Sequence, residues 1–327
     1  MIAVIGGGSW ATAIVKILSD NAKQVNWWVR TQETVDFIKK YNHNPRYLSD
    51  VPINNETGNV TNDIKACIKN SSIIILAVPS AFLKDTLASL DPSHFEGKII
   101  FSAIKGIVPD DYLIVGEYMH KTYHIPLDNI GVITGPCHAE EVAMEKLSYL
   151  TIACRNTANA ATLATMMNCR YIKTTVSDDI FGTEYSAVLK NVIAIASGIC
   201  HGLGYGDNFQ AVLISNAIQE IKRFVDSVHP ITRDINDSAY LGDLLVTAYS
   251  QFSRNRTFGN MIGKGYSVKS AQLEMNMIAE GYYAVRCIHE INRKLNVEMP
   301  ITSAVYNILY AAKNPSTEMK ALTEKLS

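Results

Sequence analysis

One lysine stands inside an otherwise apolar run, Ala187-Val188-Leu189-Lys190-Asn191-Val192-Ile193. Burying an ammonium group is costly unless it is partnered. Desolvation also lowers a lysine pKa, which makes the amine a usable general acid or base near neutral pH. The other reading is a lysine that snorkels from a helix surface, and this segment alone leaves the two level. Further segments would complete a reaction centre. Lys105-Gly106 follows an apolar run and offers a cation able to polarise a carbonyl. Gly135-Pro136-Cys137-His138-Ala139-Glu140-Glu141 follows another such run, and Leu241-Gly242-Asp243-Leu244 offers a carboxylate. Ser253-Arg254-Asn255-Arg256 offers a fork of donors suited to phosphate, because arginine binds its oxygens bidentately. Each also has a plainer reading as a turn, a cap or a charged face. Jointly they supply a base, a carbonyl polariser, a carboxylate partner and an anion clamp. His138 precedes two glutamates, but the pattern lacks a third ligand at a sensible spacing, so no metal is expected.

These groups need elements to hold them. The chain opens on a short apolar strand, Ile2 to Ile5, that runs into Gly6-Gly7-Gly8-Ser9-Trp10-Ala11 and then a helical pattern. This is Gly-x-Gly-x-x-Ala between a strand and a helix. The first glycine permits the tight turn, the second lets the backbone approach a pyrophosphate, and the helix N-terminus supplies free N–H groups. Gly6 and Gly8 are therefore candidate cofactor contacts. Strand and helix patterns then alternate. Apolar runs lie at Gln24 to Val29, Ile73 to Val78, Lys98 to Ile104, Ile130 to Thr134, Leu150 to Cys154 and Tyr171 to Thr175. Helical stretches between them include Thr31 to Tyr41, Ala81 to Leu90, Asp110 to His120 and Ala158 to Met167. Alternation of this kind predicts an α/β fold, a Rossmann-type doubly wound sheet. From Ser177-Asp178-Asp179 onward only helical periodicity remains, including a mostly apolar stretch from Phe181 to Ile199 and an amphipathic one from Ala271 to Leu295. The expectation is a dinucleotide-binding domain over 1–178 and an all-helical substrate domain over 179–327, with the apolar stretch as central helix or subunit contact. No acidic residue ends the second strand, where Arg30 follows instead. Arginine there suits a ribose 2′-phosphate, which favours NADP, with NAD also accepted.

The 327 residues suffice for two cores, and a net charge of −1 gives no support for a nucleic-acid partner. Six scattered cysteines without a Cys-x-x-Cys pair read as reduced thiols. Met1 precedes a core strand directly and no apolar run approaches a membrane span, so a cytoplasmic protein without a membrane partner is expected.

Taken together, these segments resemble NAD(P)-dependent glycerol-3-phosphate dehydrogenase of the bacterial type. The matching stretches are Gly6 to Ala13, Leu76 to Ser80, Lys105-Gly106, Gly135 to Val142, Glu184 to Gly198, Gly202 to Asn208, Leu241 to Thr247, Ser253 to Gly259 and Ala279 to Gly281. The resemblance implies a dinucleotide-binding domain followed by a helical one. It implies that Lys190 is the proton acceptor and that Lys105 touches both substrate and cofactor. Gly135, Cys137, Asn191, Asp243, Ser253, Arg254 and Asn255 fall on its substrate positions, with Arg254 and Asn255 on the phosphate. Ser9, Trp10, Arg30, Ala139, Arg254, Ile278 and Glu280 fall on its cofactor positions. Two departures stand out: Cys137 replaces the family's usual serine, and Ala11 replaces a frequent glycine. A thiol is a weaker donor than a hydroxyl.

The implied reaction interconverts glycerol 3-phosphate and dihydroxyacetone phosphate. Hydride moves between substrate C2 and the nicotinamide, and a proton moves between the C2 oxygen and Lys190. Lys105 would stabilise charge on that oxygen, and Asp243 would hold Lys190. The implied role is to supply glycerol 3-phosphate for phospholipid synthesis. A homodimer is a plausible assembly for a helical domain with apolar faces. The alternatives are another two-domain hydroxy-acid dehydrogenase and a non-catalytic NADP sensor; the sensor gives no reason for Lys105, Lys190 and Asp243 to occur together.

Overall fold

Four apolar residues, Ile2–Ile5 (β1), are buried side chain by side chain, as a strand covered on both faces requires. Helix α1 (Ser9–Asp20) follows, then β2 (Val25–Trp28), α2 (Gln32–Tyr41), β3 (Gly58–Thr61), α3 (Ile64–Lys69), β4 (Ile73–Leu76), α4 (Leu83–Leu87) and β5 (Ile99–Ser102). A short antiparallel hairpin comes next, β6 (Ile107–Val108) with β7 (Leu113–Ile114), and runs into α5 (Val115–Tyr123). The sheet resumes with β8 (Ile130–Thr134), α6 (Ala139–Ala143), β9 (Ser148–Cys154), α7 (Thr157–Met167) and β10 (Ile172–Ser177). The remainder is helical: α8 (Ile180–Gly202), α9 (Asp207–Val228), α10 (Asp243–Tyr249), α11 (Arg254–Gly263), α12 (Val268–Glu274), α13 (Glu280–Leu295), α14 (Pro300–Tyr310) and α15 (Pro315–Thr323). This computed structural model describes residues 1–21, 23–53, 58–275 and 279–327. No helix among them is long and apolar enough to cross a membrane.

The chain divides into two units, Met1–Ile104 with Val115–Ile180, and Lys105–Ile114 with Phe181–Ser327. In the first, the strand order is β3-β2-β1-β4-β5-β8-β9-β10. The first six of these are mutually parallel, β9 runs antiparallel to β8, and β10 is parallel to β9. The order reverses between β1 and β4, which is the switch point where such sheets bind ligands beyond their carboxyl ends. The turn from β1 to α1 opens there. Gly6 has φ +141°, and a Cβ at that position would collide with the Ala77 carbonyl oxygen. Gly6→Ala is therefore expected to lower the melting temperature of the unliganded protein and to cost about 1–3 kcal/mol in strain alone. A thermal scan showing no change would refute the requirement for glycine.

In the second unit α8 is buried along almost its whole length, as a helix apolar on every side must be. Small residues decide what crosses it. A Cβ at Gly198 would strike the Arg256 carbonyl, and one at Gly259 the Ile195 carbonyl, so α8 and α11 meet backbone to backbone. A Cβ at Gly281 would lie 2.6 Å from the Asn191 carbonyl oxygen, which brings the start of α13 to the same place. Three helices thus converge on Lys190 and Asn191.

The structure corrects two helices expected from the pattern. Asp110 to His120 is not one helix. Asp110 and Tyr112 take left-handed φ values of +68° and +54°, and the hairpin β6–β7 occupies the segment up to Ile114. Its Ile107 and Ile114 are buried in the core of the helical unit, and that burial outweighs helical propensity. Ala271 to Leu295 is also divided. Ser267 caps α12, Met275 turns to an extended conformation, and a new helix starts at Glu280. Strand β3 was not expected from Gly-Asn-Val-Thr, whose pattern is too short and polar to signal an edge strand.

Candidate active site

The helical unit gathers a charged cluster around Lys190, which is 4 % exposed. Lys190 Nζ is ion-paired with Asp243 Oδ1, and Lys105 Nζ donates to the same carboxylate at 3.3 Å to Oδ2. Asp243 is 1 % exposed and opens α10, directly after a wide π-helical turn at Ser238–Gly242. Extra-wide turns of this kind often occur at functional sites. Burial pulls the Lys190 pKa down and the Lys105 charge adds to that pull; Asp243 opposes both, and the result is about 7. Burial pushes the Asp243 carboxyl up, but the Lys105 and Lys190 ammonium charges outweigh it and hold its pKa below the ordinary value. The cluster therefore keeps a carboxylate ionised beside an amine poised to gain or lose a proton near neutrality.

A relay of side-chain amides backs this cluster. Asn191 Nδ2 donates to the Lys105 carbonyl at 2.7 Å, and Asn255 Nδ2 donates to Asn191 Oδ1 at 2.9 Å. Asn255 Oδ1 in turn accepts from the Gly281 N–H at 2.9 Å, in the first turn of α13. Helix α13 has no side-chain cap of its own, so Asn255 serves as its cap from another helix. Among the described residues, one Asn255 N–H is left without a protein acceptor and is open to a ligand. Ser253 caps α11 by accepting from the Arg256 N–H at 3.3 Å. Arg254 is the first residue of that helix and is exposed.

The structure thus joins Lys105, Lys190, Asn191, Asp243 and Asn255 by direct hydrogen bonds. Glu280 opens α13, while Ile278 lies outside the described residues. Ser253 and Arg254 stand at the start of α11 in the same helical unit, and the other expected residues belong to the sheet unit. Gly6, Gly8, Ser9 and Trp10 form the β1–α1 turn, and Arg30 is exposed just after β2. Gly135, with φ +114°, follows β8; Cys137 and Ala139 are each 8 % exposed.

The turn fits a dinucleotide pyrophosphate. A Cβ added at Gly8 would meet nothing within 4 Å, so the cradle is open there. Gly8 gives α1 no side-chain cap, and no acidic residue stands in its first turn. Trp10 Nε1 is buried without a partner among the described residues. An anion would satisfy such donors and the positive helix end. Sequence reasoning missed Asn44. It is 1 % exposed and donates to the Gly7 carbonyl, yet an asparagine between two helical and strand patterns carries no signal of burial.

A six-stranded parallel 3-2-1-4-5-6 arrangement with a glycine turn at its first helix, combined with a helical unit built on a buried lysine, is the plan of a two-domain nicotinamide-dependent dehydrogenase. Residues 1–160 match the family description "NAD-dependent glycerol-3-phosphate dehydrogenase N-terminus", and residues 179–320 match its C-terminus. A glycerol-3-phosphate dehydrogenase [NAD(P)+] of Exiguobacterium sp. is 38 % identical over 99 % of this chain and 95 % of its own. Another, of Oceanobacillus iheyensis, is 33 % identical over 99 % and 94 %. The crystal structure of glycerol-3-phosphate dehydrogenase from Coxiella burnetii superposes with a TM-score of 0.92 at 30 % identity, covering 99 % of this chain and 98 % of that one. The chain belongs to the NAD-dependent glycerol-3-phosphate dehydrogenase family.

Proposed function

We propose that the protein interconverts sn-glycerol 3-phosphate and dihydroxyacetone phosphate, with Lys190 as general acid and base. The observation that carries this reading is the buried Lys190–Asp243–Lys105 cluster, with an amine whose pKa falls to about 7. When bound, NADPH or NADH supplies the hydride that substrate C2 accepts. Gly6, Gly8, Ser9 and Trp10 would hold its pyrophosphate, Ala139, Ile278 and Glu280 would add contacts, and Arg30 would face a 2′-phosphate. In the reducing direction the Lys190 ammonium gives its proton to the C2 oxygen; in the oxidising direction the neutral amine takes it back. Lys105 stabilises negative charge gathering on that oxygen, and Asp243 keeps Lys190 oriented. Arg254 and the remaining Asn255 N–H grip the phosphate, while Gly135, Cys137, Asn191 and Ser253 complete the substrate surroundings. Gripping the phosphate away from the reacting carbon lets remote binding energy orient it.

The reading includes a cytoplasmic enzyme that supplies glycerol 3-phosphate for phospholipid synthesis. A homodimer belongs to it as well, supported by the apolar side chains that the helical unit exposes, Tyr249, Phe252, Tyr266 and Leu273 among them. Steady-state oxidation of NADPH and of NADH, each with dihydroxyacetone phosphate, tests the proposal. Both cofactors are expected to be oxidised, NADPH with the higher kcat/KM. An inert dihydroxyacetone phosphate beside a rapidly reduced keto acid would replace this substrate class with a carboxylate.

A further inference from the structure

Three side chains converge on the backbone of the glycine turn. Trp27 Nε1 donates to the Gly6 carbonyl at 2.6 Å. Asn44 Nδ2 donates to the Gly7 carbonyl at 3.0 Å. Thr12 Oγ1 donates to the Gly8 carbonyl at 3.0 Å. The three carbonyls are consecutive, and the three donors come from β2, from the loop after α2, and from α1. A trans peptide unit is planar, and its N–H points opposite its C=O. Among the described residues there is no cis peptide bond. Fixing the carbonyls of Gly6, Gly7 and Gly8 therefore aims the N–H groups of Gly7, Gly8 and Ser9 the other way. Among the described residues, no protein acceptor takes these three N–H groups. Successive free N–H groups in a glycine turn form an anion-binding concavity.

Asn44 is the keystone of this arrangement. Its Nδ2 also donates to Thr12 Oγ1 at 2.9 Å, so two of the three clamps are linked. Its Oδ1 accepts from the N–H groups of Arg46 at 3.0 Å and Tyr47 at 3.2 Å. Every polar atom of this buried amide is therefore used. Glycine backbones have the widest conformational choice of any residue. Backbone bonds hold the two ends of the turn, from the Gly6 N–H to the Trp28 carbonyl at 3.1 Å and from the Thr12 N–H to the Gly8 carbonyl at 2.9 Å. Without the side-chain clamps the glycines between them would keep conformational freedom that is lost on binding.

We infer that Asn44, together with Thr12 and Trp27, is a positioning residue that presets the phosphate-binding face of the glycine turn. The inference rests on the cofactor reading above. The shared pyrophosphate predicts that both cofactors feel the loss alike. By calorimetric or fluorescence titration, Asn44→Ala is expected to raise the Kd of NADPH and of NADH about tenfold, each by the same factor. The KM for dihydroxyacetone phosphate at saturating cofactor is expected to move far less. Thr12→Val should weaken cofactor binding in the same direction, and Thr12→Ser, which keeps the hydroxyl, should not. Because the two groups share a hydrogen bond, the double variant Thr12→Val/Asn44→Ala should bind about as Asn44→Ala does, short of the product of the single effects. Equal cofactor affinity for wild type and Asn44→Ala overturns the inference. Should Asn44→Ala not fold, the Thr12 pair decides alone: equal affinity of Thr12→Val and Thr12→Ser overturns it. A wild-type protein that bound neither nucleotide would overturn the cofactor reading itself.

Discussion

Replacing Lys190 with alanine is expected to lower turnover of dihydroxyacetone phosphate by about 10²–10⁴-fold, the range that a positioned acid or base supplies. Titration of NADPH should show that the variant still binds cofactor, because Lys190 belongs to the helical unit and the glycine turn to the other. The wild-type pH profiles carry the same assignment further. With the Lys190 pKa lowered to about 7, ketone reduction needs the ammonium and should fall as pH rises through that value. Alcohol oxidation needs the neutral amine and should fall as pH drops below it. A lysine at its ordinary pKa would instead leave reduction flat across neutral pH. Near-normal turnover in Lys190→Ala removes this residue from the chemistry.

The second large effect is expected at Asp243. Its carboxylate faces two ammonium groups and is almost wholly out of water, so Asp243→Asn leaves two cations without their counter-charge. Removing one partner of a buried ion pair costs about 3–5 kcal/mol. Part of that cost is relieved by Lys190 giving up its proton, since Asp243 is the group that raises its pKa against burial. Two consequences follow. The melting temperature should fall, and the reduction profile should shift to lower pH, with a rate at pH 7 at least about tenfold below wild type that recovers partly in acid. Profiles that superimpose on wild type would mean that Asp243 does not govern the Lys190 proton.

Strands β1, β4, β5 and β8 were legible because each lies in a near-continuous apolar run that soon meets glycine or proline, and the glycine turn sits where β1 meets α1. Lys190 was legible as an anomaly, one charge in an apolar helix. Its pairing was not: Asp243 lies 53 positions away, and only packing of α10 against α8 brings them together. The resemblance of whole segments, more than any spacing, placed Lys105 and Asp243 in the same set. The Asn255–Asn191–Lys105 relay depends on glycines that let three helices touch, and a glycine in a helical pattern reads locally as a weakness. Asn44 was invisible for a simpler reason. Its neighbours His43 and Arg46 are partly or wholly exposed, and no periodicity marks a loop residue as buried.

The hairpin Ile107–Ile114 has a bearing on how the polypeptide is made. It emerges in the middle of the sheet-forming stretch, yet its isoleucines fill the core of the unit whose other residues begin at Phe181. During synthesis those side chains stay without their final neighbours until the later helices leave the ribosome. A gene cut at residue 178 would strand them permanently, and the separate downstream piece would lack both this plug and Lys105. Neither half of the polypeptide is therefore a self-sufficient module, and a chimera that swaps the helical half must carry residues 105–114 along with it.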